Sequence, residues 1–232
     1  MTLTEHGSKL SERVGQFVRE QAEAFGDTRA EPGASNPLWQ RLRGLDSELW
    51  LDTGDMDAVG KLWTDELTAL TTNNTLLNRE IQKGTYDRLI TEATAVLEEF
   101  PLLSEHDRQL ELAFILNACH GLRLVARFDA YVSVEEHTDL TDDVEGAVNY
   151  ARRLHAICPE RFYVKIPFSP AGLLATRRVV AEGIPVNHTL GFSARQNVVI
   201  ARIGRPAFVN VFLGRLNSLV ADNDLGDGRF VG

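Results

Sequence analysis

Phe162-Tyr163-Val164-Lys165-Ile166-Pro167-Phe168-Ser169-Pro170 holds a strand, its end and the start of a helix in one short stretch. Aromatic and β-branched residues fill positions 162–166, and these suit a pleated, half-buried strand. Ser169 ahead of Pro170 then puts a capping hydroxyl before a proline at the first helical position. Period-two alternation sets Tyr163 and Lys165 on one face of the strand, with Val164 and Ile166 on the other.

The same unit repeats to either side. Short apolar runs occur at Leu49–Leu51, Leu67–Thr71, Ala130–Val134, Phe162–Ile166, Ile184–Leu190 and Ala207–Leu213. Helical patterns lie between them at 56–66, 75–99, 104–123, 142–157, 170–182 and 194–203. Asp142 with Glu145, and Ser193 with Gln196, have capping-box spacing. Such alternation predicts parallel strands joined by crossover helices. Upstream, residues 1–25 alternate charges with Leu10, Val14, Phe17 and Val18, a weakly amphipathic helix. Residues 26–37 are a Gly, Pro, Ser and Asp-rich linker. The chain therefore divides into an N-terminal helical extension and linker over 1–45 and an α/β domain over 46–232.

A closed (β/α) barrel and an open doubly wound sheet share this pattern. No glycine-rich phosphate loop follows any strand, which weakens the nucleotide-binding reading. Polar residues instead end several strands: Asp52, Asn73, Glu135, Lys165, Thr189 and Asn210. Barrels collect their chemistry at that face, so the expected fold is a TIM-type (β/α) barrel. Only six strand–helix units are recognisable, and 19 residues follow Leu213, with a polar, loop-like tail from Ala221 to Gly228. Two more units need about 50 residues or more. The barrel thus reads as incomplete at its C-terminus: truncated in the first reading, otherwise completed by another chain, including a second copy in a homo-oligomer, or holding strands that these patterns do not reveal.

Composition narrows the function classes. The 232 residues carry a net charge of −9, which argues against nucleic-acid binding while leaving room for a small phosphorylated substrate. No apolar run is long enough to span a membrane, and the first thirty residues lack the apolar core of a signal peptide. Cys119 and Cys158 are too few for a disulfide framework, so they read as small core residues in a cytoplasmic protein.

Lys165 is the sharpest chemical signal. A lysine held in a poorly solvated interior favours its neutral amine, the form that attacks a carbonyl. The structural alternative is a lysine that snorkels outward or pairs with a carboxylate. Asp52 and Glu135, both ending strands, are candidate proton carriers, although a turn Asp beside Gly54 and a solvated loop Glu explain them equally well. Thr189 shares its face with Asn187 and could hold a water, while His188 points the other way as a packed histidine. Arg215, just past a strand, suits a phosphate at a barrel mouth. Glu135, Glu136 and His137 are too close in sequence to converge on one metal ion.

Six pieces in order resemble the transaldolase family: Leu51-Asp-Thr-Gly-Asp55, Leu70-Thr-Thr-Asn-Asn74, Ser133-Val-Glu135, Val164-Lys-Ile-Pro167, Asn187-His-Thr-Leu-Gly-Phe-Ser193 and Phe212-Leu-Gly-Arg215. The resemblance runs from about Leu49 to Leu216. It implies Lys165 as a Schiff-base lysine, and Asp52 as the acid/base for the hydroxyl released when a ketose carbon–carbon bond breaks. It further implies Glu135 and Thr189 as holders of a proton-relaying water, Asn73 and Asn210 as hydroxyl binders, and Arg215 as the phosphate ligand. Phe212 matches a position where transaldolases carry Phe and related aldolases carry Tyr. Asn74, Phe168 and Asn210 depart from the family's usual Pro, small residue and Ser. The resemblance implies transfer of a dihydroxyacetone unit between sugar phosphates, chemistry of the pentose phosphate type that needs no metal or organic cofactor. The alternatives are a fructose-6-phosphate aldolase-like enzyme, or a sugar-phosphate-binding relative or fragment without catalysis.

Overall fold

A computed structural model describes residues 3–225 of the chain. Six strands, β1 (Leu49–Asp52), β2 (Leu67–Thr71), β3 (Tyr131–Glu135), β4 (Phe162–Pro167), β5 (Val186–Thr189) and β6 (Phe208–Val209), pair in parallel in sequence order. Helices cover the outside of this curled sheet. They are α1 (Leu3–Ala24), α2 (Pro37–Arg43), α3 (Met56–Leu62), α4 (Asn74–Gln82), α5 (Asp87–Glu98), α6 (Glu105–Phe128), α7 (Val144–Ile157), α8 (Pro170–Ala181), α9 (Ala194–Val199) and α10 (Leu213–Asp222). A π-helical turn, Ile200–Gly204, continues α9 towards β6. The expected incomplete barrel of six strand–helix units is the observed architecture. None of the described helices is long and apolar enough to cross a membrane.

Alternation along each strand builds two different layers. Leu70, Val132, Val134, Phe162, Val164, Ile166 and Val186 face outward and are buried beneath the helices. Burying an aliphatic or aromatic side chain of this size contributes about 1.5–3 kcal/mol, so this layer holds the helices to the sheet. The other face lines the barrel interior. Its lower part is aromatic: Trp50 stacks on Tyr163 at 5.7 Å, Tyr131 stacks on Tyr163 at 5.3 Å, and Phe208 meets Trp50 edge-on at 4.7 Å. Trp50 and Phe208 belong to the two edge strands, so the sheet curls far enough to bring its edges into side-chain contact.

Several local expectations are corrected. The pattern over 75–99 is two helices, because Gly84 adopts φ +78° and turns the chain between α4 and α5. The helix expected over 104–123 runs on to Phe128 and stops where Asp129 enters the left-handed region at φ 51°. Asp143, and not Asp142, caps α7 by accepting the Gly146 N–H. The run Ala207–Leu213 supplies a two-residue strand only, since Leu213 already opens α10. That helix takes up Ala221 and Asp222 of the supposed loop-like tail, whose residues 226–228 lie outside the described part. The capping box at Ser193 forms as expected, with Gln196 N–H donating to Ser193 Oγ at 3.1 Å and Ser193 N–H to Gln196 Oε1 at 2.8 Å. The apolar stripe of α1 is also where the pattern puts it. Leu10, Val14, Phe17 and Val18 are buried in the same core cluster as the helices flanking the sheet.

Candidate active site

The carboxyl ends of the strands bring a polar group together above the aromatic floor. Lys165 lies near the end of β4, two residues beyond Tyr163 on the same face, and is 5% exposed. Its Nζ donates to the Thr72 carbonyl oxygen at 3.0 Å and stands 3.9 Å from Glu135 Oε1. The strand register explains the meeting, because Glu135 is the direct partner of Lys165 in the β3–β4 pair.

Glu135 is the electrostatic centre of the group. Its second oxygen accepts the Asn74 backbone N–H at 3.3 Å. Burial pushes this carboxyl above the usual carboxylate value. Lys165, the Asn74 N–H and Arg215 each pull it down, while Asp52 adds to the rise. Asp52 ends β1 beside Thr71 and is exposed. Arg215 sits in the first turn of α10, its guanidinium 4.6 Å above the Phe212 ring, which itself lies 5.4 Å from Phe192.

Thr189 closes the group from β5. Its buried hydroxyl accepts from Asn210 Nδ2 at 3.1 Å, and the Asn210 backbone N–H donates to the His188 carbonyl oxygen at 3.0 Å. Asn73 uses Oδ1 to cap α4 through the Leu76 N–H at 2.9 Å, and its Nδ2 makes no hydrogen bond among the described residues. His188 points outward, as expected, with Nδ1 2.9 Å from Thr176 Oγ1. Burial pushes its value down to about 4. Lys165, Glu135, Thr189 and Asn210 thus have direct polar partners within the group, Asp52 and Arg215 act on Glu135 through their charge, and Asn73 and Phe212 flank it.

Sequence reasoning missed four contributors. The Thr72 carbonyl and the Asn74 N–H are backbone groups, and no residue type announces them. Ser133 and Asn187 form a buried pair beside Lys165, whose partner across the β4–β5 pair is Asn187, with Asn187 Nδ2 donating to Ser133 Oγ at 2.9 Å. Both lie on the inward face by period two, so alternation alone marked them. Cys119 is buried, with its thiol pushed up to about 12 by burial, and Cys158 is half-buried; neither approaches the group.

Comparison with known proteins supplies a family for the chain. A family model described as "Transaldolase/Fructose-6-phosphate aldolase" matches residues 49–228. A "Probable transaldolase" of Thermus thermophilus is 34% identical over 177 residues, which are 75% of this chain and 66% of that protein. A "Transaldolase" of Xanthomonas euvesicatoria pv. vesicatoria is 30% identical over 189 residues, 79% of this chain and 57% of that protein. A "Probable transaldolase" of Desulfatibacillum aliphaticivorans is 37% identical over 102 residues, 44% of this chain and 45% of that protein. The chain therefore matches about half the length of such relatives.

Proposed function

Because the chain belongs to the transaldolase/fructose-6-phosphate aldolase family, we propose that it transfers a dihydroxyacetone unit between sugar phosphates through a Schiff base on Lys165. The observation that carries this reading is a buried lysine Nζ held 3.9 Å from the carboxylate of a glutamate on the neighbouring strand. An amine so placed attacks the ketose carbonyl while Glu135 moves the protons that turn the carbinolamine into an imine and water.

The remaining residues divide the later work. The protonated imine withdraws the electron pair of the breaking carbon–carbon bond, and Asp52 takes the proton of the departing hydroxyl, which leaves as an aldehyde. The three-carbon unit stays bound as an enamine until a second aldehyde captures it. Thr189 and Glu135 hold the water that first leaves and later hydrolyses the imine. Asn73 Nδ2 and Asn210 bind hydroxyls, and Arg215 binds the phosphate. Phe212, rather than a phenol, favours transfer over simple cleavage.

Borohydride trapping with fructose 6-phosphate, read by mass spectrometry of the peptides, tests the covalent step. A three-carbon adduct on Lys165, lost in Lys165→Ala, is expected; a folded sample without adduct rejects the mechanism. Turnover that rises only when an acceptor aldose is added separates transfer from cleavage. Glu135→Gln should lower kcat by about 10²–10⁴-fold, the usual range for loss of a proton-transfer group.

A further inference from the structure

Away from the barrel mouth, a cavity of about 720 Å³ lies between the second half of α8 and the π-helical turn before β6, lined by Arg177, Arg202, Arg205, Val180 and Ile203. Its volume falls in the range of small-molecule sites. Helix α8 starts at the carboxyl end of β4 and runs back, so Arg177 and Val180 lie towards the amino ends of the strands. The π-helical turn leads into β6 and lies at that same end. The cavity is therefore opposite the end that carries Lys165 and Arg215.

What the three guanidiniums share is one cavity and side chains without partners. By contrast, Arg178 on the same helix as Arg177 pairs with Glu145, and on neighbouring α7 Arg152 pairs with Glu182 at 2.6 Å and Arg153 with Glu111 at 2.5 Å. Among the described residues, the side chains of Arg177, Arg202 and Arg205 have neither hydrogen bond nor ion pair, although the chain carries a net charge of −9. All three side chains are exposed, and three like charges around one cavity give it a positive potential that attracts an anion.

The frame beneath them is rigid. Gly204 is buried, and a Cβ there would stand 3.1 Å from Thr176 Cγ2 and 3.3 Å from Leu173 Cδ1, so the turn lies close against α8. Arg205 adopts φ 53° while its N–H bonds to the Ile200 carbonyl at 3.1 Å, which fixes where its side chain leaves the backbone. Guanidinium forks match phosphate oxygens. Val180 and Ile203 add an apolar wall that suits a flat organic group beside the phosphates.

We propose that this cavity binds a multiply charged phosphate compound, a nucleoside polyphosphate fitting both its arginines and its apolar wall. Titration calorimetry of the full chain with ATP and with pyrophosphate, at low ionic strength and without magnesium, tests it. One saturable site is expected, weakened at least tenfold in Arg202→Ala/Arg205→Ala and in Arg177→Ala, and unchanged in Arg215→Ala and Arg41→Ala. Tighter binding of ATP than of pyrophosphate assigns the nucleoside class. Absence of saturable binding, loss in Arg215→Ala with retention in the double variant, or equal weakening by Arg41→Ala overturns the proposal.

Discussion

Asn74 joins two strand ends at the candidate site through both its backbone and its side chain. Its N–H donates to Glu135, its Nδ2 donates to the Glu136 carbonyl oxygen at 2.9 Å, and its Oδ1 accepts from Asn117 at 3.1 Å. It is also the first residue of α4, a position where proline is compatible with the helix. Asn74→Pro therefore removes the N–H while leaving the helix start intact. Glu135, already raised by burial, should rise further, and the acid limb of the kcat/KM profile should move to higher pH. Asn74→Ala keeps the N–H and should move it less; a folded Asn74→Pro enzyme with an unshifted limb would contradict this role. Glu136, next in sequence, is 3% exposed, and burial first and Glu135 second hold its carboxyl well above 4.5. With the folded value raised, the unfolded chain releases this proton first as pH climbs, so stability falls from about pH 4.5 upward until the folded value is passed. Glu136→Gln should gain stability relative to the parent as pH climbs above about 4.5, read from urea midpoints; a constant difference would show that Glu136 does not titrate in this way. These two neighbours show what the sequence disclosed of the site. Glu135 was legible because a carboxylate at a barrel strand's end suggests chemistry. The burial of Glu136 beneath the helices, and the backbone donor at Asn74, depend on packing that no local pattern encodes.

Helix α6 packs onto the sheet more closely than a side chain would permit. A Cβ on Gly121 would stand 2.7 Å from Phe162 Cζ and 3.0 Å from Val134 Cγ2. Gly121→Ala must push apart the helix and the β3–β4 pair, and should destabilise by about 1–3 kcal/mol despite alanine's better helix propensity. Denaturant midpoints would show this, and a stabilised variant would mean that the helix shifts freely. Helix α1 makes the complementary case. Phe17 is buried in the common core, so Phe17→Ala should cost about 3–5 kcal/mol, whereas the exposed Leu38→Ala should stay within about 0.5 kcal/mol. The elements most legible in the sequence are those whose pattern and ends agree: β4 with its alternation, α8 with Ser169 and Pro170, α9 with Ser193 and Gln196. The break between α4 and α5 was masked because helical apolar spacing resumes directly beyond it, although Lys83-Gly84, with Gly84 at positive φ, is what stops the helix. Likewise α10 was hidden because its apolar start, Leu213, extends the run of β6.

Among the described residues, the sheet's order leaves β1 and β6 with one strand neighbour each, so both present unpaired backbone groups. Near the β6 edge, Val211 is 59% and Leu219 54% exposed, and Leu213 is exposed beside them. Two open edges beside apolar surface favour association, since further pairing satisfies the N–H and C=O groups while covering the side chains. Contact between Trp50 and Phe208 narrows the gap at the barrel floor, yet the polar group around Lys165 lies above that floor, and no described strand pairs β1 with β6. The 232-residue chain should therefore sediment with a mass that rises with protein concentration. Val211→Lys combined with Leu219→Lys places charges on the edge region and should hold the chain at monomer mass over the same range, with unchanged circular dichroism. A parent chain that stays monomeric at high concentration would show that the edges are covered from within, and hydrogen exchange at β6 would then be slow rather than fast.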